Sequence, residues 1–507
     1  VSRDRPDSEL ERALAATGDA GRPDAAANRH AKGYRTAREN LEDLCDEGSF
    51  VEYGQLAVAA QRQRRSLDEL RSDTAADGVI TGLATINADR FGSVAGQVAV
   101  IIYDYTVLAG TQGFFHHKKL DRILDLAGRE GLPVVMYTEG GGGRPGDTDV
   151  TTQVAGLDLP TFARWAGLAG KVPRIAVNNG YCFAGNAALF GCADLRIATR
   201  SSCIGMAGPA MIEGGGLGRF KPTEIGPVEV QERNGVIDLV AADEAAATAS
   251  ARQLLGYFQG DGGPCDCPDQ ADLGGLLPAD RRYTYHVRRI IATLADSGSF
   301  LELTAGFGAA IITGFLRIEG RPLGLIANDC RVLGGAIDAA AAEKAARFLR
   351  LCSNFGLPIL SLCDTPGFMV GPASEEQAAV RYMSDLFVAG AQIEVPLVVI
   401  FLRKAYGLGA MAMAGGGFAE ALYAAAWPTG EFGGMGLEGA VRLGYRKELE
   451  AETDPGRQQA LFDRLLAELY EKGRALETAT HLEIDAVIDP ADTRQHVTRA
   501  LAAARTR

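Results

Sequence analysis

Apolar and polar positions along the chain follow two alternating periods. Short apolar, β-branched runs recur at Asp77–Ile86 (DGVITGLATI), Gln97–Asp104 (QVAVIIYD), Val134–Tyr137, Arg174–Asn178 and Val395–Phe401. Runs of this kind, bounded by glycine or proline, predict buried strands. Between them apolar residues fall at helical spacing. Tyr34–Cys45 is one such segment; Phe114–Glu130 is another, with Leu120, Ile123, Leu124 and Leu126 on one face and Gly131-Leu132-Pro133 ending it. Strands alternating with helices predict an α/β fold. Residues 1–30 are alanine-rich and charged without an apolar stripe, and are expected to form a mobile tail or a loose helix.

Three strands run into glycine. Val395–Phe401 leads through Arg403-Lys404 to Gly407 and Gly409, then to the small residues Ala410–Gly417. Val134–Tyr137 leads into Thr138-Glu139-Gly140-Gly141-Gly142-Gly143-Arg144, and Arg174–Asn178 into Gly180-Tyr-Cys-Phe-Ala184-Gly185-Asn186. A strand, a glycine turn and a small-residue helix start aim unpaired main-chain N–H groups at an anion. Glycine also lets a bulky reacting group approach the backbone.

The pattern occurs twice. Gly48-Ser49-Phe50-x-Glu52 returns 250 residues later as Gly298-Ser299-Phe300-x-Glu302. Ile80-Thr81-Gly82 returns as Ile312-Thr313-Gly314, Gly131-Leu132-Pro133 as Gly356-Leu357-Pro358, and Val172-Pro173 as Val395-Pro396. Matches in the same order, with a spacing that shrinks smoothly, indicate a duplicated domain rather than a solenoid. The expected organisation is a tail over 1–30, an N-terminal domain over 31–260, a Gly-, Pro- and Asp-rich linker over 261–285, and a C-terminal domain over 286–507.

Composition narrows the chemistry. With 47% apolar and 23% charged residues, the 507-residue chain has the make-up of a soluble globular protein. A formal net charge of −13 argues against nucleic acid as a partner. Basic clusters at Arg62, Arg64 and Arg65, at Lys118-Lys119, and at Arg219 with Lys221 could still act locally on a small anion. Nine scattered cysteines suit a reducing compartment. No run is apolar enough to span a bilayer, so a cytoplasmic location is expected.

None of the six histidines lies in a glycine turn, which leaves a Ser-His-Asp triad or a metal site without support; no metal is expected. The P-loop lysine is absent. Gly407-Leu-Gly409-Ala-Met-Ala412 satisfies the dinucleotide fingerprint, with Glu431 as the acid downstream, so an oxidoreductase is one alternative. The other is stabilisation of oxyanions by main-chain N–H groups, one turn per domain. A site poor in titratable groups then leaves the base to the substrate or cofactor.

Long motifs sharpen this. AKGYRTARENLEDLCDEGSFVEY (31–53), DGVITGLATIN (77–87), GGAIDAAAAEKAARFLR (334–350), DTPGFMVG (364–371), RKAYG (403–407), AWPTGEFGGMGLEGAV (426–441) and DAVIDPADTR (485–494) resemble the carboxyltransferase (β) subunit of biotin-dependent acyl-CoA carboxylases. The resemblance implies two crotonase-type β-β-α spiral domains, an acyl-CoA side in the first and a biotin side in the second. It implies an active site between the N-domain of one subunit and the C-domain of another. It also implies carboxybiotin delivered by a biotin carboxylase or biotin carboxyl carrier partner, a coenzyme A thioester as substrate, a homohexamer built as a trimer of dimers, and a role in fatty-acid metabolism. Carboxybiotin would release CO2, its ureido anion would take the α-proton, and the enolate would attack CO2. A decarboxylase α-subunit of the same fold is the alternative within the resemblance.

By position, Ala184 and Gly185 match the pair that would hold the thioester enolate, and Leu408 and Gly409 the pair that would hold the biotin oxygen. Gly142, Gly143, Arg144, Tyr406 and Met411 are the expected substrate contacts. Met411 replaces an Asp common in relatives, and Val380-Arg381-Tyr382-Met383 replaces Ile-Arg-His-Gly, so the resemblance implies an acyl group longer or more branched than acetyl. Residues 205–227 form an extended glycine-rich segment, a candidate lid or phosphate loop.

Overall fold

A computed structural model describes residues 6–152, 154–263 and 265–504. The chain divides into two compact units, meeting in sequence at Gly260 and Asp261.

In the first unit, β1 (Val51–Glu52), β2 (Val79–Thr85), β3 (Gln97–Tyr103), β4 (Val134–Tyr137), β5 (Arg174–Asn178), β7 (Leu195–Thr199) and β9 (Leu239–Ala241) form one sheet in that order. The first two pairings are antiparallel and the rest parallel. Strands β6 (Tyr181–Phe183) and β8 (Cys203–Gly205) make a separate parallel pair.

The second unit repeats the plan. Strands β10 (Leu301–Leu303), β11 (Ile311–Ile318), β12 (Arg321–Asn328), β13 (Ile359–Thr365), β14 (Leu397–Tyr406), β15 (Tyr423–Ala426) and β17 (Ala486–Val487) follow the same antiparallel-then-parallel order, with β16 (Glu431–Gly433) on β14. Each sheet is covered by helices, the fully buried Trp165 and Phe190 filling one core and Trp427 with Ile290 and Ile291 the other. Burial of each such side chain contributes about 1.5–3 kcal/mol.

The repeated tripeptides now have a physical cause. Glu52 pairs with Gly82 in the first unit and Glu302 with Gly314 in the second. Thr81 donates through Oγ1 to Tyr53 O, and Thr313 likewise to Leu303 O, at 2.8 and 3.2 Å. A Cβ on Gly82 would stand 2.4 Å from Val51 O and from the Phe50 ring; one on Gly314 would stand 2.4 Å from Leu301 O and 3.0 Å from the Phe300 ring. The phenylalanine lies across the strand where only glycine leaves room.

Three segments differ from expectation. Of the stretch 1–30, expected as a mobile tail or a loose helix, residues 1–5 lie outside the described residues and 6–30 form helices Pro6–Ala15 and Pro23–His30, the second tied to loops of the first sheet. Arg22 pairs with Asp104 at 2.8 Å, and both guanidinium nitrogens of the buried Arg29 donate to Glu139. The anchoring is ionic, which is why an apolar-stripe criterion misses it.

Residues 261–285, expected as a linker, belong to the second unit. Leu273 is fully buried with Ile290, Ile291 and Leu294, and Gly262 N–H donates to Gly320 O at 2.9 Å. The third difference is β14, which continues through the charged Arg403-Lys404 to Tyr406. Arg403 stays buried because Asp364 on β13 meets it at 3.0 Å and Tyr283 O accepts from it at 2.8 Å.

Candidate active site

Both glycine turns sit at the carboxyl ends of central parallel strands, where open α/β sheets place their ligands. In the first unit the loop after β4 and the turn after β6 are laced together. Gly140 N–H donates to Tyr181 O at 2.8 Å and Phe183 N–H to Gly140 O at 3.0 Å. Ala184 then adopts φ +52°, ψ −120°, a strained conformation for a residue bearing Cβ. This kink turns the chain into helix Gly185–Cys192.

The turn brings Gly142 and Gly143 beside Ala184 and Gly185. A Cβ on Gly142 would lie 2.8 Å from that of Ala184, whereas one on Gly143 would meet nothing within 4 Å. The Ala184 N–H is already taken, donating to Gly205 O at 3.0 Å. Of the expected pair, Gly185 at the first helical position is therefore the donor without an intrahelical acceptor, and Ala184 supplies the kink that aims it.

Arg144 does not face this opening. Its guanidinium is buried, bound to Asp77 and Asp147 at 2.5 and 2.9 Å. Burial raises the Asp77 carboxyl to about 6 in spite of Arg144. The residue expected to clamp substrate is instead an internal brace, since a glycine-loop arginine in sequence gives no sign of which side of the loop it takes. Next to it, burial pushes the His116 imidazole well below its ordinary value, and the ring packs 4.5 Å from Tyr103.

In the second unit β14 runs into helix Gly407–Met413, whose start carries no side-chain cap. The N–H groups of Leu408 and Gly409 therefore lack intrahelical acceptors. Gly407 has φ +57°. Gly409 is pressed on the loop after β13: a Cβ there would stand 2.7 Å from Gly367 Cα and 3.1 Å from Phe368 N. Leu408 and Met411 expose 60% and 38% of their surface beside the turn, an apolar rim. Tyr406 points away and is buried, its hydroxyl donating to Glu431 Oε2 at 2.9 Å. That bond uses the acid that the dinucleotide reading required, and a helix this short does not continue into a nucleotide-binding βαβ unit.

Two residues escaped the sequence reading of the site. Asn186, quoted only as the end of a motif, is fully buried and bonds to Gly142 N–H at 3.0 Å and to Thr138 O at 3.0 Å. Gln112 bridges the same loop through its backbone, accepting from Arg144 N–H and donating to Gly142 O, both at 2.8 Å. A polar amide in the first turn of a small-residue helix was the one available signal for Asn186.

Against known families, residues 28–507 match the carboxyl transferase domain. The chain belongs to the carboxyl transferase domain family. This carboxyltransferase is 34% identical to the propionyl-CoA carboxylase beta chain of Saccharopolyspora erythraea, over 95% of this chain and 90% of that one. It is 32% identical to the methylmalonyl-CoA carboxyltransferase 12S subunit of Propionibacterium freudenreichii subsp. shermanii, over 93% and 89%.

Among solved structures it resembles a single-chain, multi-domain long-chain acyl-CoA carboxylase with TM-score 0.93 and 57% identity, covering 99% of this chain and 49% of that protein. The carboxyltransferase thus spans about half the length of that solved chain. The transcarboxylase 12S hexamer, solved with methylmalonyl-CoA, gives TM-score 0.86 and 29% identity over 100% of this chain and 97% of that one. The resemblance to acyl-CoA carboxylase carboxyltransferases and the α/β, crotonase-like fold are borne out. Among the described residues no group of histidine, cysteine, aspartate or glutamate could hold a metal ion, and no helix is long and apolar enough to cross a membrane.

Proposed function

We propose that this carboxyltransferase moves a carboxyl group from carboxybiotin to the α-carbon of an acyl-CoA, each unit holding one reacting oxygen on main-chain N–H groups. The observation that carries the reading is the pair of uncapped helix starts, Gly185 after the short strand β6 and Leu408-Gly409 after β14. In the first unit Gly185, with the exposed Gly143 beside it, would receive the thioester oxygen as enolate charge develops. Charge that appears only in the transition state is where a preorganised donor acts most, at about 3–4 kcal/mol per donor.

The second unit fits the ureido group of biotin: two N–H donors for its oxygen, with Leu408 and Met411 as apolar flanks for its ring. When bound, carboxybiotin supplies the carboxyl group and, after its release, the base. The chain itself binds, orients and shields. Ala184, Gly185, Leu408, Gly409 and Met411 carry no titratable side chain, consistent with a base that comes from outside the protein.

The biotin is proposed to arrive on a carrier, with a biotin carboxylase to charge it, and the assembly to be a hexamer like that of the 12S relative. The acyl group is proposed to be longer or more branched than acetyl, supported by Met411 and by the 57% identity to a long-chain enzyme. The test is a chain-length profile with free carboxybiotin and acyl-CoAs from two to about sixteen carbons. Turnover that rises beyond acetyl-CoA supports the reading; preference for acetyl-CoA overturns the acyl assignment. Gly409→Pro, which deletes a second-unit donor, is expected to abolish turnover while CoA still binds.

A further inference from the structure

We infer that Asn186 is a positioning residue that locks the loops after β3 and β4 to the helix carrying the first-unit oxyanion turn; the inference rests on the proposed function above. Two backbone segments meet behind Gly185: the loop after β3 at Gly110, and the stretch Thr138–Gly142 that continues β4. They approach so closely that a Cβ on Gly140 would stand 2.1 Å from Gly110 O, and one on Gly110 would stand 2.3 Å from Glu139 O. Gly141 N–H donates to Ala109 O at 3.2 Å, but that bond does not tie the two segments to helix Gly185–Cys192.

One side chain does. Asn186 Oδ1 accepts from Gly142 N–H at 3.0 Å, and Nδ2 donates to Thr138 O at 3.0 Å and Gly110 O at 3.4 Å. Its amide is fully buried and has a partner for both its acceptor and its donors. The residue is also the immediate neighbour of Gly185 on helix Gly185–Cys192, so the clamp and the open donor share one rigid turn. A shift of the loop relative to the helix has to break one of these bonds. The amide also takes the Gly142 N–H out of play, which leaves the Gly185 N–H as the unpaired donor at the helix start, with the exposed Gly143 next along the loop.

Gln112 braces the same loop from the other side. It is buried, its Nε2 donates to Tyr103 Oη at 3.0 Å, and its Oε1 is the atom that a Cβ on Gly185 would meet, at 2.3 Å. Asn186 thus holds the loop to the helix, and Gln112 fills the space behind it. Both residues are buried behind the turn.

The geometry predicts a specific pattern for two variants. Asn186→Ala frees Gly142 N–H and unties the loops, so kcat falls about 10- to 100-fold, as expected for sub-ångström to ångström misplacement of a catalytic donor. KM for acyl-CoA stays nearly constant, because the lost alignment matters where oxyanion charge develops. Asn186→Asp keeps an acceptor for Gly142 N–H, but when ionised it faces the Thr138 and Gly110 carbonyls with no donor. Once protonated, its hydroxyl can donate to one of them. Its kcat therefore recovers as pH falls through a carboxyl raised by burial, whereas the native enzyme shows no such rise.

Thr74→Val serves as the control, because Thr74 is fully buried and the hydroxyl it would lose bonds Leu70 O and Ala59 N–H, far in sequence from the turn. It is expected to lower the melting temperature with kcat unchanged. All four proteins are assayed for carboxyl transfer with saturating acyl-CoA, well below their melting temperatures. A kcat loss confined to Asn186→Ala, with acid-side recovery in Asn186→Asp, supports the clamp. Equal kcat in native and Asn186→Ala, or a loss that only tracks melting temperature, overturns it. Absence of transfer by the native enzyme overturns the proposed function instead, so the two failures are told apart.

Discussion

Gly409→Ala adds one methyl at the tightest backbone contact of the second-unit turn. The new Cβ would stand 2.7 Å from Gly367 Cα and carbonyl carbon and 3.1 Å from Phe368 N, all main-chain atoms with no rotamer to yield. Ordinary van der Waals contact needs at least 3.4 Å, so the helix start and the loop after β13 must part by about 0.7 Å. Overpacking of this kind costs roughly 1–3 kcal/mol of stability. Misplacement approaching 1 Å costs up to about 100-fold in rate when the displaced groups serve the transition state.

The assay is therefore double: urea unfolding for stability, and carboxyl transfer from free carboxybiotin for kcat. Gly439→Ala is the matched control, because its Cβ meets only Met435 Cε at 3.7 Å within helix Leu437–Gly444; it is expected to gain about 0.5–1 kcal/mol. A 10- to 100-fold kcat loss in Gly409→Ala with acyl-CoA affinity kept agrees with the division of roles. A destabilised Gly409→Ala that retains full kcat refutes the claim that this turn positions a reacting oxygen.

Three further outcomes follow from the same contacts. Gly82→Ala and Gly314→Ala should each cost about 2–3 kcal/mol by urea unfolding, because both place Cβ 2.4 Å from a backbone oxygen; a neutral result at either site would break the proposed equivalence of the units. Arg144→Met strands the buried Asp77 and Asp147 carboxylates and should lose about 3–5 kcal/mol, with CoA affinity of the folded protein unchanged by calorimetry. Burial raises Glu139 from 4.5 to about 7, against Arg29, so the folded state keeps a proton that the unfolded chain releases in between. The stability this contributes is complete below about pH 4.5 and is lost as pH rises through 7, roughly 3 kcal/mol in all. Measured at pH 5 and pH 8, the advantage of the native protein over Glu139→Gln should shrink; a pH-independent difference contradicts the assignment.

The duplicated plan was legible because its signals are steric. A glycine that must pass a phenylalanine ring, as at Gly82 and Gly314, leaves the same tripeptide in both halves. The glycine turns were legible for the same reason. What the pattern of residues could not carry was the direction in which polar groups point. Arg144 follows four glycines and looks like an anion clamp, yet Asp77, distant in sequence, draws it inward.

Ala184 reads as a donor by position, but the Gly205 carbonyl takes its N–H, and only the backbone path of β8 reveals this. The segments over 6–30 and 261–285 look like a tail and a linker because their anchors form no periodic face: Arg22 and Arg29 act through ion pairs, and Leu273 and Tyr285 enter the second core far apart in sequence. Asn186 was invisible as a clamp, since its three partners come from two loops distant from it in sequence.

The most direct test of the account is transfer of an isotopically labelled carboxyl group from free carboxybiotin to acyl-CoA by the purified chain, followed by mass spectrometry of the CoA product. The account predicts a labelled carboxyl on the α-carbon, formed in proportion to enzyme and lost in Gly409→Pro while CoA still binds. No labelled product with any acyl-CoA of the series, from a folded protein that binds CoA, would contradict it.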